Sequence, residues 1–121
     1  MNNYQHHDGA QYLLNYHFIW KPLRKDLFRH HPEIEKKLRQ IIRQLADRHQ
    51  FKILKLKIKP RYIHLLLSAR PSYAPSRIMN IIKGATGRQL AQEFPQYKVK
   101  NSIWERRYLV SSESDLNPTI F

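Results

Sequence analysis

Residues 51–68 impose an antiparallel hairpin on any fold this chain adopts. FKILKLKIK (51–59) alternates apolar residues with lysine, and YIHLLLS (62–68) follows after only Pro60-Arg61. A period of two is that of a strand covered on one side. Two strands joined by so short a link lie antiparallel. On this reading Leu54, Leu56 and Ile58 face a core, and Lys55, Lys57 and Lys59 face away from it. In the second strand Ile63, Leu65 and Leu67 make the better core set, which leaves Tyr62, His64, Leu66 and Ser68 on the outer face. Residues two apart on a strand are about 6.5 Å apart, so Tyr62 and His64 are expected side by side there.

The flanking segments supply two helices and two more strands. QYLLNYHFIW (11–20) is rich in aromatic and branched residues and reads as a buried strand. KPLRKDLFRHHP is a basic connection with two prolines. From Glu33 to about Arg48, Ile34, Leu38, Ile41, Ile42 and Leu45 form one apolar stripe at helical spacing. Pro32 suits the start of that helix, and Glu33 and Glu35 complement its dipole. A second helix begins near Ser76, the expected N-cap. Ile78, Ile81, Ile82 and Ala85 repeat along it, with Leu90 and Phe94 beyond, and Gly84 and Gly87 weaken its middle. Tyr97 to Val110 reads as extended, with a break near Asn101-Ser102.

The order strand, helix, strand, strand, helix, strand is that of the split βαβ, ferredoxin-like plan. The expected class is α+β, with two helices on one face of an antiparallel sheet and the other face open. Residues 11–112 form the domain, between a polar, flexible lead-in at 1–10 and a polar tail at 113–121. His6 and His7, adjacent in the lead-in without partners, belong to that tail-like segment and not to a metal site.

The chain has 22 basic and 9 acidic side chains, a formal charge of +13. So large an excess on 121 residues points to a polyanionic partner. Cysteine is absent, which excludes a disulfide framework, a thiolate nucleophile and cysteine-ligated metals. The lead-in has no apolar run of a secretory signal, and no stretch reaches the length of a membrane span. A cytoplasmic protein without a membrane partner is the expectation.

Four blocks carry a resemblance. YLLNYHFIW with KPLRK, LKIKPRYIHLLLSARP, IMNIIKGATGRQL and SIWERRYLVSS stand in this order between about Tyr12 and Ser112. Together they resemble the small single-tyrosine HUH transposases of bacterial insertion sequences. The resemblance implies DNA transposition by a homodimer that binds imperfect single-stranded DNA hairpins. It implies a tyrosine nucleophile that forms a 5′-phosphotyrosine link. It also implies a divalent metal, Mg or Mn, held by two histidines flanking a hydrophobic residue and by a polar residue of a C-terminal helix. Such a metal offsets the repulsion between a phosphodiester and an incoming phenolate.

The sequence departs from that pattern. The family's Asp-His-hydrophobic-His stretch reads here Arg61-Tyr62-Ile63-His64. Tyr62 replaces a metal-ligand histidine, and a neutral phenol, with a pKa of about 10, ligates far more weakly than imidazole. The helix carrying the nucleophile and third ligand would begin near Phe121, and neither residue stands in the sequence. Of the three metal ligands only His64 remains, so the metal is expected to be weakly held or absent. No catalytic residue is assigned: Tyr108 matches an aromatic position of the family's last strand, not the nucleophile.

The candidate DNA-binding residues are Lys21, Arg24 and Lys25 after the first strand, Lys55, Lys57 and Lys59 on the open face, and Lys83 and Arg88 beside the helix glycines. Tyr73, Tyr97, Trp104 and Tyr108 are candidates for stacking on unpaired bases. The expected function is a hairpin DNA-binding, transposase-like protein that has lost cleavage. One alternative is a ferredoxin-like RNA-binding module, although the glycine-aromatic signature of the common RNA-recognition motif is absent. The other is a metal-dependent nicking enzyme using Tyr62 or Tyr108.

Overall fold

A computed structural model describes residues 4–5 and 11–112. The rest of the expected lead-in and the expected tail at 113–121 lie outside the described residues. A short antiparallel pair, β1 (Tyr4–Gln5) with β2 (Gln11–Tyr12), precedes the main domain. The domain then runs β3 (Leu14–Pro22), α1 (Pro32–His49), β4 (Lys52–Ile58), β5 (Ile63–Ala69), α2 (Pro75–Glu93), a 3-10 turn (Pro95–Tyr97) and β6 (Trp104–Ser111). Its four strands pair antiparallel in the order β4-β5-β3-β6. This is the ferredoxin-like sheet expected from the order of periods.

Both helices pack on one face. Phe18 and Trp20 of β3 and Ile63, Leu65 and Leu67 of β5 meet Ile34, Leu38, Ile41 and Ile42 of α1 and Ile78, Met79, Ile82 and Leu90 of α2, all buried. The α1 stripe read from the sequence is buried throughout, with Pro32 in the first turn. The second helix starts two residues earlier than expected. Ala74 is its N-cap in extended conformation, as a residue before proline prefers, and Pro75 takes the first turn. Ser76 is therefore inside the helix and does not cap it.

Two further differences come from backbone irregularities. In β4 the pairing runs Ile53↔Leu67 and then Lys55↔Leu66, so three residues oppose two and Leu54 is the extra one. The bulge turns Ile53, not Leu54, toward the core with Leu56 and Ile58, and leaves Leu54 42% exposed. The strand also ends at Ile58. Lys59 lies in the connection, where its N–H donates to the Tyr62 carbonyl at 2.9 Å. Ahead of β6, Val99 and Ser102 bridge across Lys100 (φ 51°) and Asn101 (φ 66°). Left-handed conformation at both central residues marks a tight reversing turn, which explains the break expected there.

Candidate nucleic-acid interface

Alternation along the sheet decides what its outer face presents. Asn15, His17 and Ile19 of β3 lie in register with Ser68, Leu66 and His64 of β5. On β4, Lys52, Lys55 and Lys57 oppose Ser68, Leu66 and His64. One side of the sheet therefore carries two histidines, an Asn15–Ser68 hydrogen bond and three exposed lysines. Ile19 belongs to the same side and is fully buried.

The histidines meet. His17 Nδ1 lies 2.9 Å from His64 Nε2, with ring centroids 5.1 Å apart. They are diagonal neighbours on adjacent antiparallel strands, within reach of ring side chains. One nitrogen of this contact carries the proton and the other accepts it. Burial, followed by the charge of Lys55, holds His17 below the usual imidazole range. His64 is lowered by burial, then by His17, Lys57 and Lys55. The pair is thus held neutral within a positive surround.

His17 was not among the residues singled out from the sequence. Its signal was the alternation of Asn15, His17 and Ile19 in β3, which becomes meaningful only once β3 is known to lie beside β5. Tyr62 is half-buried in the bend before β5, and the ring beside His64 is His17 instead.

The IS200-like transposase model matches residues 10–120. The chain belongs to the IS200-like transposase family. It is 30% identical over 113 residues to the ISDra2 transposase TnpA of Deinococcus radiodurans, covering 88% of this chain and 78% of that protein. A crystal structure of a putative transposase from Deinococcus radiodurans superposes with a TM-score of 0.79 at 28% identity, covering 92% of this chain and 87% of the other. A REP-associated tyrosine transposase bound to a REP hairpin shares the fold, with a TM-score of 0.60 at 18% identity over 96% of this chain and 64% of that one.

Among the described residues no three His, Asp or Glu side chains converge. His64 Nε2 is engaged by His17, so ligation there means breaking that contact, and the neighbouring Lys55 and Lys57 oppose a further positive charge. An anion meets the opposite field.

Several of the other candidate residues have structural work. Arg24 makes two hydrogen bonds to Asp26, at 3.1 and 2.8 Å, and lies over the Tyr97 ring. Its partner's carboxyl is held below the ordinary range by the same contact. Lys83 Nζ donates to the carbonyls of Glu105 and Arg106 at 2.7 and 2.9 Å, tying α2 to β6, and burial lowers its pKa. Lys21 is half-buried at the end of β3, Lys25 is exposed in the connection, and Arg88 is exposed on α2.

The aromatic candidates are mostly engaged in packing. Trp104 is 4% exposed, edge-on to Trp20, and its indole N–H donates to Thr86 Oγ1 at 3.0 Å. It is a core residue and unavailable for stacking on a base. Tyr108 pairs with Trp20 on the helix side of the sheet, with Lys83 5.7 Å from its ring centre. Tyr97 shares a 3.0 Å hydrogen bond with His31. Tyr73 packs against Phe51, His49 and Arg77.

Proposed function

We propose that this transposase-family chain binds hairpin or single-stranded DNA at insertion-sequence ends without cutting it. One observation carries the reading: the neutral His17–His64 pair is flanked by Lys55 and Lys57 where the family resemblance calls for a metal centre. That surround favours a phosphodiester and disfavours the cation that cleavage would use. Tyr108, on the helix side of the sheet, is badly placed to attack a strand lying on the outer face. A metal cofactor is accordingly weak or absent in this reading. A homodimer and a cytoplasmic location belong to the same proposal. The first is supported by the family resemblance. The second is supported by the cysteine-free, basic composition; no described helix is long and apolar enough to cross a membrane.

The test is a fluorescence-anisotropy titration at two salt concentrations. The ligands are a DNA hairpin from the end of the element carrying the gene, a scrambled strand of equal length and the RNA form of the hairpin. Tightest binding to the DNA hairpin, weakening steeply with salt, supports the reading. Equal, weak binding to all three refutes it, and preference for the RNA hairpin favours an RNA-binding module. Light scattering reads the dimer.

A further inference from the structure

The two glycines of α2 have different structural reasons. A side-chain Cβ at Gly87 would sit 3.1 Å from Trp104 Cδ1, so close packing of the indole on the helix favours glycine there. A Cβ at Gly84 would meet nothing within 4 Å. Gly84 is exposed and does not have a positive φ. Neither packing nor backbone conformation calls for a residue that disfavours a helix interior.

Gly84 opens instead onto a groove of about 750 Å³ between α2 and the segment that turns into β6. Its lining includes four cations, Lys83, Arg88, Lys98 and Arg106, against a single carboxylate, Glu105. The side chains of Arg88, Lys98 and Arg106 are exposed and make no ion pair or hydrogen bond among the described residues. Lys83 is anchored through two of its three N–H groups, leaving one for a ligand. The groove thus combines a floor without a side chain and a positive rim, a pairing suited to close approach by a phosphate chain.

We propose that this groove seats the phosphodiester backbone of the bound DNA, with Gly84 as the point of closest approach and Arg88, Lys98 and Arg106 on the phosphates. The inference rests on the DNA-binding reading and adds a second contact surface, on the helix side of the molecule and apart from the His17–His64 face. It also accounts for Gly84, which the fold leaves unexplained.

The test compares the wild-type chain with Gly84→Leu, Gly84→Ala, Arg88→Gln and Arg106→Gln, using the labelled DNA hairpin over a salt series. Arg43→Gln, on the exposed side of α1, is the control, and circular dichroism checks folding. Gly84→Leu should weaken binding by about tenfold, the scale of one lost charge-assisted contact. Gly84→Ala, which cannot fail for want of helix propensity, should weaken it in the same direction by less. Each arginine variant should lower the salt slope by about one unit, and the control should not. Wild-type affinity in both glycine variants, or an unchanged slope in both arginine variants, overturns the groove while leaving the DNA-binding reading in place. A wild-type chain that does not bind the DNA hairpin overturns both.

Discussion

Replacing each α2 glycine by alanine makes a matched pair of perturbations whose signs the structure separates. Both positions are in the interior of the same helix, so each substitution gains the same intrinsic propensity, about 1 kcal/mol. At Gly84 the added methyl meets nothing within 4 Å, and the gain is kept. At Gly87 the methyl lies 3.1 Å from Trp104 Cδ1 and 3.4 Å from its Nε1. Ordinary carbon–carbon contact is about 3.5–4.0 Å, so the indole has to move back. It has little room to do so: it lies edge-on to Trp20 at 5.9 Å, faces Phe28 at 6.3 Å and is hydrogen-bonded to Thr86. Overpacking of this kind costs about 1–3 kcal/mol. The net effect of Gly87→Ala therefore runs from neutral to a loss of about 2 kcal/mol. For a domain of this size 1 kcal/mol moves Tm by about 4 °C. Reversible thermal or urea unfolding should show Gly84→Ala above wild type and Gly87→Ala at or below it. Equal stabilisation by the two would refute the claim that Trp104 is locked against the helix.

Further outcomes follow from the same contacts. Lys83→Met removes the donor to two carbonyls and should cost about 1–2 kcal/mol, read by urea unfolding. Leu54→Lys, at the exposed bulge, should change stability by less than about 0.5 kcal/mol, whereas Leu65→Ala, fully buried, should cost about 2–5 kcal/mol. The folded-state pKa values of His17 and His64 are lowered, so the unfolded chain takes up protons that the folded chain resists. Their contribution is present in full above about pH 6.5 and is lost as pH falls toward the folded-state values. Unfolding free energy measured against pH should decline over that window, and His64→Asn should flatten the decline.

Much of the fold was legible because its signals are local. The hairpin at 51–68 is closed by a short link, four residues in the structure where the sequence suggests two, and the α1 stripe needs only a period of 3.6; both elements are found in the expected stretches. The bulge at Leu54 was hard to read, since its one trace in FKILKLKIK is the adjacent apolar pair Ile53-Leu54, and the register depends on the partner strand. Nor was the capping role of Ala74, which follows from its proline neighbour and not from a side-chain oxygen. The site was harder still. His64 was visible through a motif, but its partner His17 is 47 residues away and enters only through the β3–β5 register. Composition gives the amount of charge, while the contacts each cation makes follow from the fold. Arg24 and Lys83 are tied to the protein itself, while Lys52 stands exposed on the sheet face and Lys98 and Arg106 line the groove beside α2.

On the function proposed above, this member of the transposase family holds DNA and leaves it intact. The most direct measurement incubates the protein with the end-labelled DNA hairpin joined to flanking single strand, in Mg2+ and in Mn2+, and follows the same samples by anisotropy and on a denaturing gel. A bound complex with full-length DNA and no covalent protein–DNA adduct in either metal is the expected result. An adduct or a nicked product that disappears in Tyr62→Phe or Tyr108→Phe would contradict it.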